Sequence, residues 1–360
     1  MSRRPVETPY SQQSLQSYGY VFSTTHIAAI FVIFGIVLLP LGSVLRAQSD
    51  AVKEFSMTYD SSSNADVDCT ISSTNDGSAC EVSFSFTEDV TGPLYVYYEV
   101  TDFYQNHRRY VRSRSADQLM GSDLSYDDVY LDCYPLTQNG SLLINPCGLI
   151  ANSFFNDIIS LVDSPSDTAM DEDGITWYYD RKQKFQQVTG FAYGETKSFS
   201  VPCKSVLGGD YSESDCGQYT DTDGTMYYYY YPDDDSVQYL YESFPDNISP
   251  IDGVTDEHFI SWMRTAGLST FRKLYGKIDT DISSGDALIF NITTNFVVST
   301  YGGTKALVVT TLDENGSKTY ALGNSYIITG SVSLFVGAVF ALKRLLAPRK
   351  LGDVTVLNWL

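Results

Sequence analysis

The chain has 360 residues, with 23 Lys and Arg against 44 Asp and Glu and a formal net charge of −21. An acidic excess of this size repels a phosphate backbone, so nucleic acid is not an expected partner. Only three histidines occur, His26, His107 and His258, and no GxSxG, Walker A, HExxH or GxGxxG string is present, so no catalytic residue, metal ligand or cofactor is expected.

Residues 1–26 form a mostly polar tail in which Arg3 and Arg4 face Glu7, a net charge of +1. The apolar run Ile27–Leu45 follows. At about 1.5 Å per residue it crosses most of a hydrocarbon core roughly 30 Å thick. It is longer than the apolar core of a secretory signal and ends in Leu45-Arg46-Ala47, a poor cleavage site, so a retained span over 27–45 is predicted. Ala28, Gly35 and Gly42 recur seven apart along one stripe, and Pro40 is expected to kink the helix.

Residues 46–324 hold all six cysteines, as three local couples: Cys69 with Cys80, Cys133 with Cys147, and Cys203 with Cys216. An even count confined to one segment reads as a disulfide set in an oxidising compartment, and sequential pairing is the simplest connectivity. Four sequons, at Asn139, Asn247, Asn291 and Asn315, lie in the same segment, so N-linked glycans are expected; Pro250 makes Asn247 the least favourable of them. The runs Glu81–Phe86, Leu94–Val100 and Ala306–Leu312 alternate or are β-branched and are broken by turn residues at short intervals. They predict a mainly β fold, an antiparallel sandwich with short helices. Two stretches depart from period two. Gly148–Ile159 has helical apolar spacing, and Phe259, Trp262, Met263 and Ala266 fall on one helical face that Gly267 should end, with Leu268, Phe271, Leu274 and Tyr275 continuing the apolar set. Arg264, Arg272, Lys273 and Lys277 make this second stretch basic. Either they pair with acids inside the domain or they meet a partner. Residues 222–235 and 171–174 read as acidic, tyrosine-rich surface loops, without the spacing of a calcium loop.

The second apolar run, Tyr326–Leu342, predicts a span over 325–342, with Thr329, Ser333 and Gly337 four apart as a small-residue row. The two small rows can mate with each other or with helices of another protein, and the second mating is the one expected. Neither span holds a charged residue, which disfavours an ion pathway. The tail 343–360 carries Lys343, Arg344, Arg349 and Lys350 against Asp353, or +3. Removing the tails' +1 and +3 from −21 leaves −25 for the middle segment. The positive-inside rule then puts both tails in the cytosol and the acidic middle in the lumen or outside. Tails of 26 and 18 residues leave no room for an energising nucleotide domain.

Three strings, Asn145-Pro-Cys-Gly-Leu-Ile-Ala-Asn-Ser-Phe-Phe-Asn-Asp157, His258-Phe-Ile-Ser-Trp-Met-Arg-Thr-Ala-Gly-Leu-Ser-Thr-Phe-Arg-Lys-Leu-Tyr-Gly276 and Gly35-Ile-Val-Leu-Leu-Pro-Leu-Gly42, resemble signatures of the CDC50/Lem3 family. Members are non-catalytic β-subunits of P4-type ATPases, the lipid flippases. The resemblance implies a glycosylated, disulfide-bonded exoplasmic sandwich that clasps the ATPase's exoplasmic loops, with the spans beside its membrane helices. It also implies that the subunit is needed for exit from the endoplasmic reticulum toward Golgi, endosome or plasma membrane and for the phosphoenzyme cycle, while ATP hydrolysis and the lipid path belong to the partner. On this reading Trp262, Met263, Arg264, Phe271, Arg272 and Lys273 are the expected partner contacts. A two-span ligand-gated channel subunit and a surface receptor are the rival readings. The chain departs from the family pattern at Ser269, where a proline is common, and in the tyrosine-rich insert around Tyr227.

Overall fold

The structure, a computed structural model, describes residues 7–16, 23–61, 65–71, 77–165, 168–195, 217–232, 236–313 and 316–348. The chain divides into two compact units, one containing the two long terminal helices and one spanning Lys53–Gly316.

Helix α1 (Thr24–Ala51) and the C-terminal helix (Ala321–Leu346) have mean hydropathies of 2.7 and 1.8 over their most apolar windows and pack against each other. Both overrun the boundaries expected from hydropathy. Their large apolar side chains point outward, as with Ile33 at 61 % exposure and Phe335 at 70 %. Small residues point inward. This inverted arrangement suits a helix pair whose solvent is hydrocarbon, because lipid tails give leucine no reason to hide and only small residues let two backbones approach. The buried set of α1 is Ala28, Gly35, Gly42 and Ser49, and that of its partner is Gly323, Gly330, Ser333 and Gly337. A Cβ on Gly42 would stand 2.9 Å from the Gly323 carbonyl oxygen, and one on Gly337 would stand 2.8 Å from a methyl of Val32. The small rows therefore mate with each other, which corrects the expected mating with another protein. Thr329 is exposed and stands outside the contact, where Gly330 takes its place. Helix α1 continues through Pro40 without interruption.

At one end of the pair, Arg46 Nη1 donates to Asn324 Oδ1 at 2.6 Å, and its guanidinium lies 4.4 Å from the Tyr320 ring centroid. Ser49 Oγ accepts from the Thr319 amide at 2.9 Å. Within the helices, Ser43 and Ser331 donate to the carbonyls of Leu39 and Ile327 one turn back, so their hydroxyls need no other partner in an apolar medium.

The second unit is a sandwich. Strands β1 (Glu54–Asp60), β3 (Leu94–Val100), β11 (Phe271–Ile278) and β13 (Lys305–Thr310) form an antiparallel sheet in the order β1-β13-β3-β11. Strands β2 (Ser78–Ser85), β6 (Ile158–Asp163) and β12 (Ala287–Thr294) form a second sheet in the order β2-β12-β6. Alternation explains the faces: Leu94, Val96, Tyr98 and Val100 of β3 and Leu288, Phe290 and Ile292 of β12 are buried, and they meet in one core. Tyr98 stacks on Phe155 at 3.8 Å between centroids.

Short elements complete the unit. They are α2 (Arg108–Arg112), α3 (Ala116–Leu119), α4 (Tyr126–Cys133), β4 (Gln138–Asn139), β5 (Leu142–Asn145), α5 (Tyr178–Gln183), β7 (Ala192–Glu195), β8 (Gly217–Thr220), β9 (Met226–Tyr230), β10 (Val237–Tyr239), α6 (Leu240–Ser243) and α7 (Glu257–Met263); the long C-terminal helix of the first unit is α8. Two expectations change here. Gly148–Ile159 is not one helix: a single 3-10 turn at Ala151–Ser153 leads into β6, because Ile158 and Ile159 add an edge to β12. The tyrosine run is not only loop: Met226–Tyr230 is the middle strand of the sheet β7-β9-β8.

Candidate functional site

The basic stretch after residue 256 folds as a helix followed by a strand. Asp256 caps α7 by accepting from the Phe259 amide at 2.7 Å, and the helix ends at Met263. Phe271 and Tyr275 then follow strand periodicity in β11, so the helical apolar set does not continue past Gly267.

This geometry separates the six expected partner contacts. Trp262 is fully buried, donates from Nε1 to the Ile150 carbonyl at 2.9 Å, and packs among Phe103, Phe271 and Phe296. Met263 and Phe271 are also core residues. Arg272 is engaged inside the domain, with Nε 2.6 Å from Glu99 and Nη1 3.0 Å from Glu54. Lys273 is buried and donates from Nζ to the carbonyls of Ser261 (2.8 Å) and Arg264, where it satisfies the last turn of α7. Burial, aided by the neighbouring charge of Arg264, pulls its pKa down to about 8. Arg264 alone of the six presents an exposed head.

Arg264 does not stand free. Its guanidinium lies 3.1 Å from Asp180 on α5 and 5.0 Å from the ring centroid of Trp177, which is 59 % exposed. The loop carrying Trp177 is pinned by Glu257 of α7, whose carboxylate accepts from the amides of Gly174 and Thr176, the Thr176 hydroxyl and Arg181. Burial pushes the Glu257 carboxyl up, but these hydrogen bonds outweigh it and hold the group below the ordinary range. Trp177, Asp180, Arg264, Arg272 and Lys273 border one concavity of about 300 Å³. An exposed tryptophan beside an arginine, both on a pinned frame, is the composition found at the centres of protein interfaces.

A separate ionic cluster lies inside the sandwich. Lys305 is fully buried, with Nζ 2.7 Å from Asp157 Oδ2 and 3.3 Å from Asp60 Oδ2. Asp157 Oδ1 accepts from the amides of Asn295 and Phe296 at 2.6 Å each, and Oδ2 accepts from the Tyr59 hydroxyl at 2.9 Å. The cluster ties together β1, β13 and the loops after residues 153 and 294. Sequence reasoning missed it, because no local pattern marks three residues so far apart.

Cys69 is bonded to Cys80 and Cys133 to Cys147. Cys203, Cys216 and Asn315 lie outside the described residues. Asn139 is exposed on β4 with its amide bonded to Gln238; Asn247 is half-buried and donates to the Asn156 carbonyl; Asn291 is half-buried on the central strand β12.

Two apolar helices that present large side chains outward and glycines inward, attached to a disulfide-bonded β-sandwich, define an integral membrane protein. The model of the LEM3 (ligand-effect modulator 3) family / CDC50 family matches residues 45–350, and the chain belongs to that family. It is 31 % identical to "ALA-interacting subunit 3" of Arabidopsis thaliana, over 99 % of this chain and 91 % of that protein. It is 30 % identical to "Cell cycle control protein 50A" of Mus musculus, over 94 % of this chain and 88 % of that protein, and 30 % identical to "Cell cycle control protein 50B" of Homo sapiens, over 94 % and 93 %.

Proposed function

We propose that this chain is the non-catalytic accessory subunit of a P4-type ATPase that translocates phospholipids, aminophospholipids among them, across a membrane. The observation that carries the reading is the family match over 45–350, joined to the relatives' description as ALA-interacting subunits. In this reading the Lys53–Gly316 unit lies on the lumenal or external side and both tails are cytosolic. Two disulfides in that unit, and Lys343 and Arg344 at the end of α8, support that orientation. The ATPase binds and hydrolyses ATP. The subunit holds the ATPase's exoplasmic loops and supports its folding, its exit from the endoplasmic reticulum and its transport cycle. The face built from Trp177 and Arg264 is the contact we assign to the partner, and N-linked glycans occupy accessible sequons.

Co-expression tests the reading. A P4-type ATPase expressed with this chain is expected to leave the endoplasmic reticulum and form phosphoenzyme, and without it to be retained. Equal trafficking and phosphoenzyme formation in both cases refutes the reading.

A further inference from the structure

The stretch His107–Arg114 contains Arg108, Arg109, Arg112 and Arg114, and all four arginines are exposed. They belong to the segment that carries −25 overall, yet among the described residues none of them has a carboxylate partner. Arg181 and Arg264 of the same unit each pair with one, and Arg272 pairs with two. Neighbouring cations on one helical turn repel each other, so their crowding is a cost that an anion bound between them would relieve.

The backbone beneath the arginines is fixed. The Tyr110 hydroxyl bonds Ser153 Oγ at 2.8 Å. The buried Ser113 Oγ donates to the Cys133 carbonyl at 2.8 Å and accepts from the Leu149 amide at 2.9 Å. The Arg114 amide donates to the Asp132 carbonyl at 3.1 Å, and the bond between Cys133 and Cys147 closes the segment behind it. On this frame His107, Arg108, Arg109 and Arg112 line an open concavity of about 460 Å³. The same concavity is lined by Asp132, by Leu131, 84 % exposed, and by Tyr134, 53 % exposed.

A carboxylate is satisfied by one guanidinium fork, whereas a phosphate presents several oxygens and can take forks from more than one arginine. The volume is that of a small-molecule site, and Leu131 and Tyr134 offer it apolar surface. We propose that the concavity between Arg108, Arg109, Arg112 and Tyr134 binds a phosphate ester. The guanidinium groups hold the phosphate, Leu131 and Tyr134 cover the organic part, and Asp132 accepts from a hydroxyl or ammonium group on it. A phospholipid headgroup and a soluble phosphate monoester share this chemistry.

The test is calorimetry on the full-length chain in mild detergent, titrated with glycerol 3-phosphate and with dihexanoylphosphatidylserine. The wild type is expected to bind at least one of these probes, more weakly as salt is raised. The R108Q/R109Q/R112Q variant is expected to lose about tenfold or more in affinity, as removal of charged hydrogen bonds implies. Lys182→Gln, an exposed charge elsewhere, is expected to leave binding unchanged. Tighter binding of the dihexanoyl lipid assigns the site to a membrane lipid, and equal binding assigns it to a soluble ester. Non-reducing mass analysis of the bond between Cys133 and Cys147 checks that the triple variant is folded. Equal binding by wild type and the triple variant overturns the proposal. So does a wild type that binds hexaglutamate but neither phosphate probe, which would give these arginines to an acidic polypeptide.

Discussion

Replacing Lys305 by Met is the sharpest perturbation of the ectodomain. Methionine keeps the length and most of the volume of the side chain, so the change is one of charge. It strands two buried carboxylates, Asp157 at 2.7 Å and Asp60 at 3.3 Å, which are 1 % exposed each. Removing one member of a buried ionic cluster costs about 3–5 kcal/mol. At about 2–4 °C per kcal/mol for a domain of this size, the melting temperature should fall by about 10 °C. Tryptophan fluorescence of the full-length chain reads this directly, since Trp262 is buried in the same core. The sign of the pH dependence is fixed as well. Burial already raises the Asp60 carboxyl above its ordinary range, and Lys305 is the main force opposing that rise. A carboxyl raised in the folded state stabilises below its unfolded pKa, and that stability is lost as pH climbs through the folded value. Without Lys305 the folded value rises further, so the variant should recover more than the wild type as pH is lowered from about 7 to about 5. A fall of less than about 2 °C, or a deficit that does not change with pH, would refute this account of the cluster.

Four other outcomes follow from the geometry. Trp262→Ala should destabilise the ectodomain by about 3–5 kcal/mol in a thermal melt, whereas Arg264→Ala should stay within about 0.5 kcal/mol and lower recovery of the ATPase complex. Cys133→Ser should cost about 3 kcal/mol, read as a lower melting temperature and as retention in the endoplasmic reticulum. Lys273, with its pKa pulled down to about 8, adds stability as pH rises from that value toward its unfolded pKa, and a melt series should show this rise lost in Lys273→Met. Gly42→Leu places a side chain where a Cβ already meets the Gly323 carbonyl at 2.9 Å, so spin labels on Ile33→Cys and Phe335→Cys should report a broadened distance distribution between α1 and α8.

Local patterns were legible in the sequence. Hydropathy located both long apolar helices, alternation located β3 where period two is clearest, and cysteine spacing anticipated the two bonds within the described residues. The mating of the spans was also written there, since Gly323, Gly330 and Gly337 repeat the seven-residue spacing of Ala28, Gly35 and Gly42, although a four-residue rule favoured Thr329 instead. Gly148–Ile159 misled because three-to-four spacing of apolar residues also arises where a chain enters a core and then joins a sheet edge. Trp262 looked like a contact residue because an amphipathic helix shows which face is apolar and not what covers it; here the cover is the protein's own Phe103, Phe271 and Phe296. Tertiary pairings such as Asp60 with Lys305 have no sequence signal, because only the sheet order brings β1 beside β13.

A partner subunit of a lipid-translocating ATPase must travel with that ATPase, and affinity purification of the full-length chain in mild detergent, followed by mass spectrometry of what accompanies it, reads this out. A P4-type ATPase recovered in stoichiometric amount is the predicted result, and recovery of the chain alone or only as a homo-oligomer contradicts it.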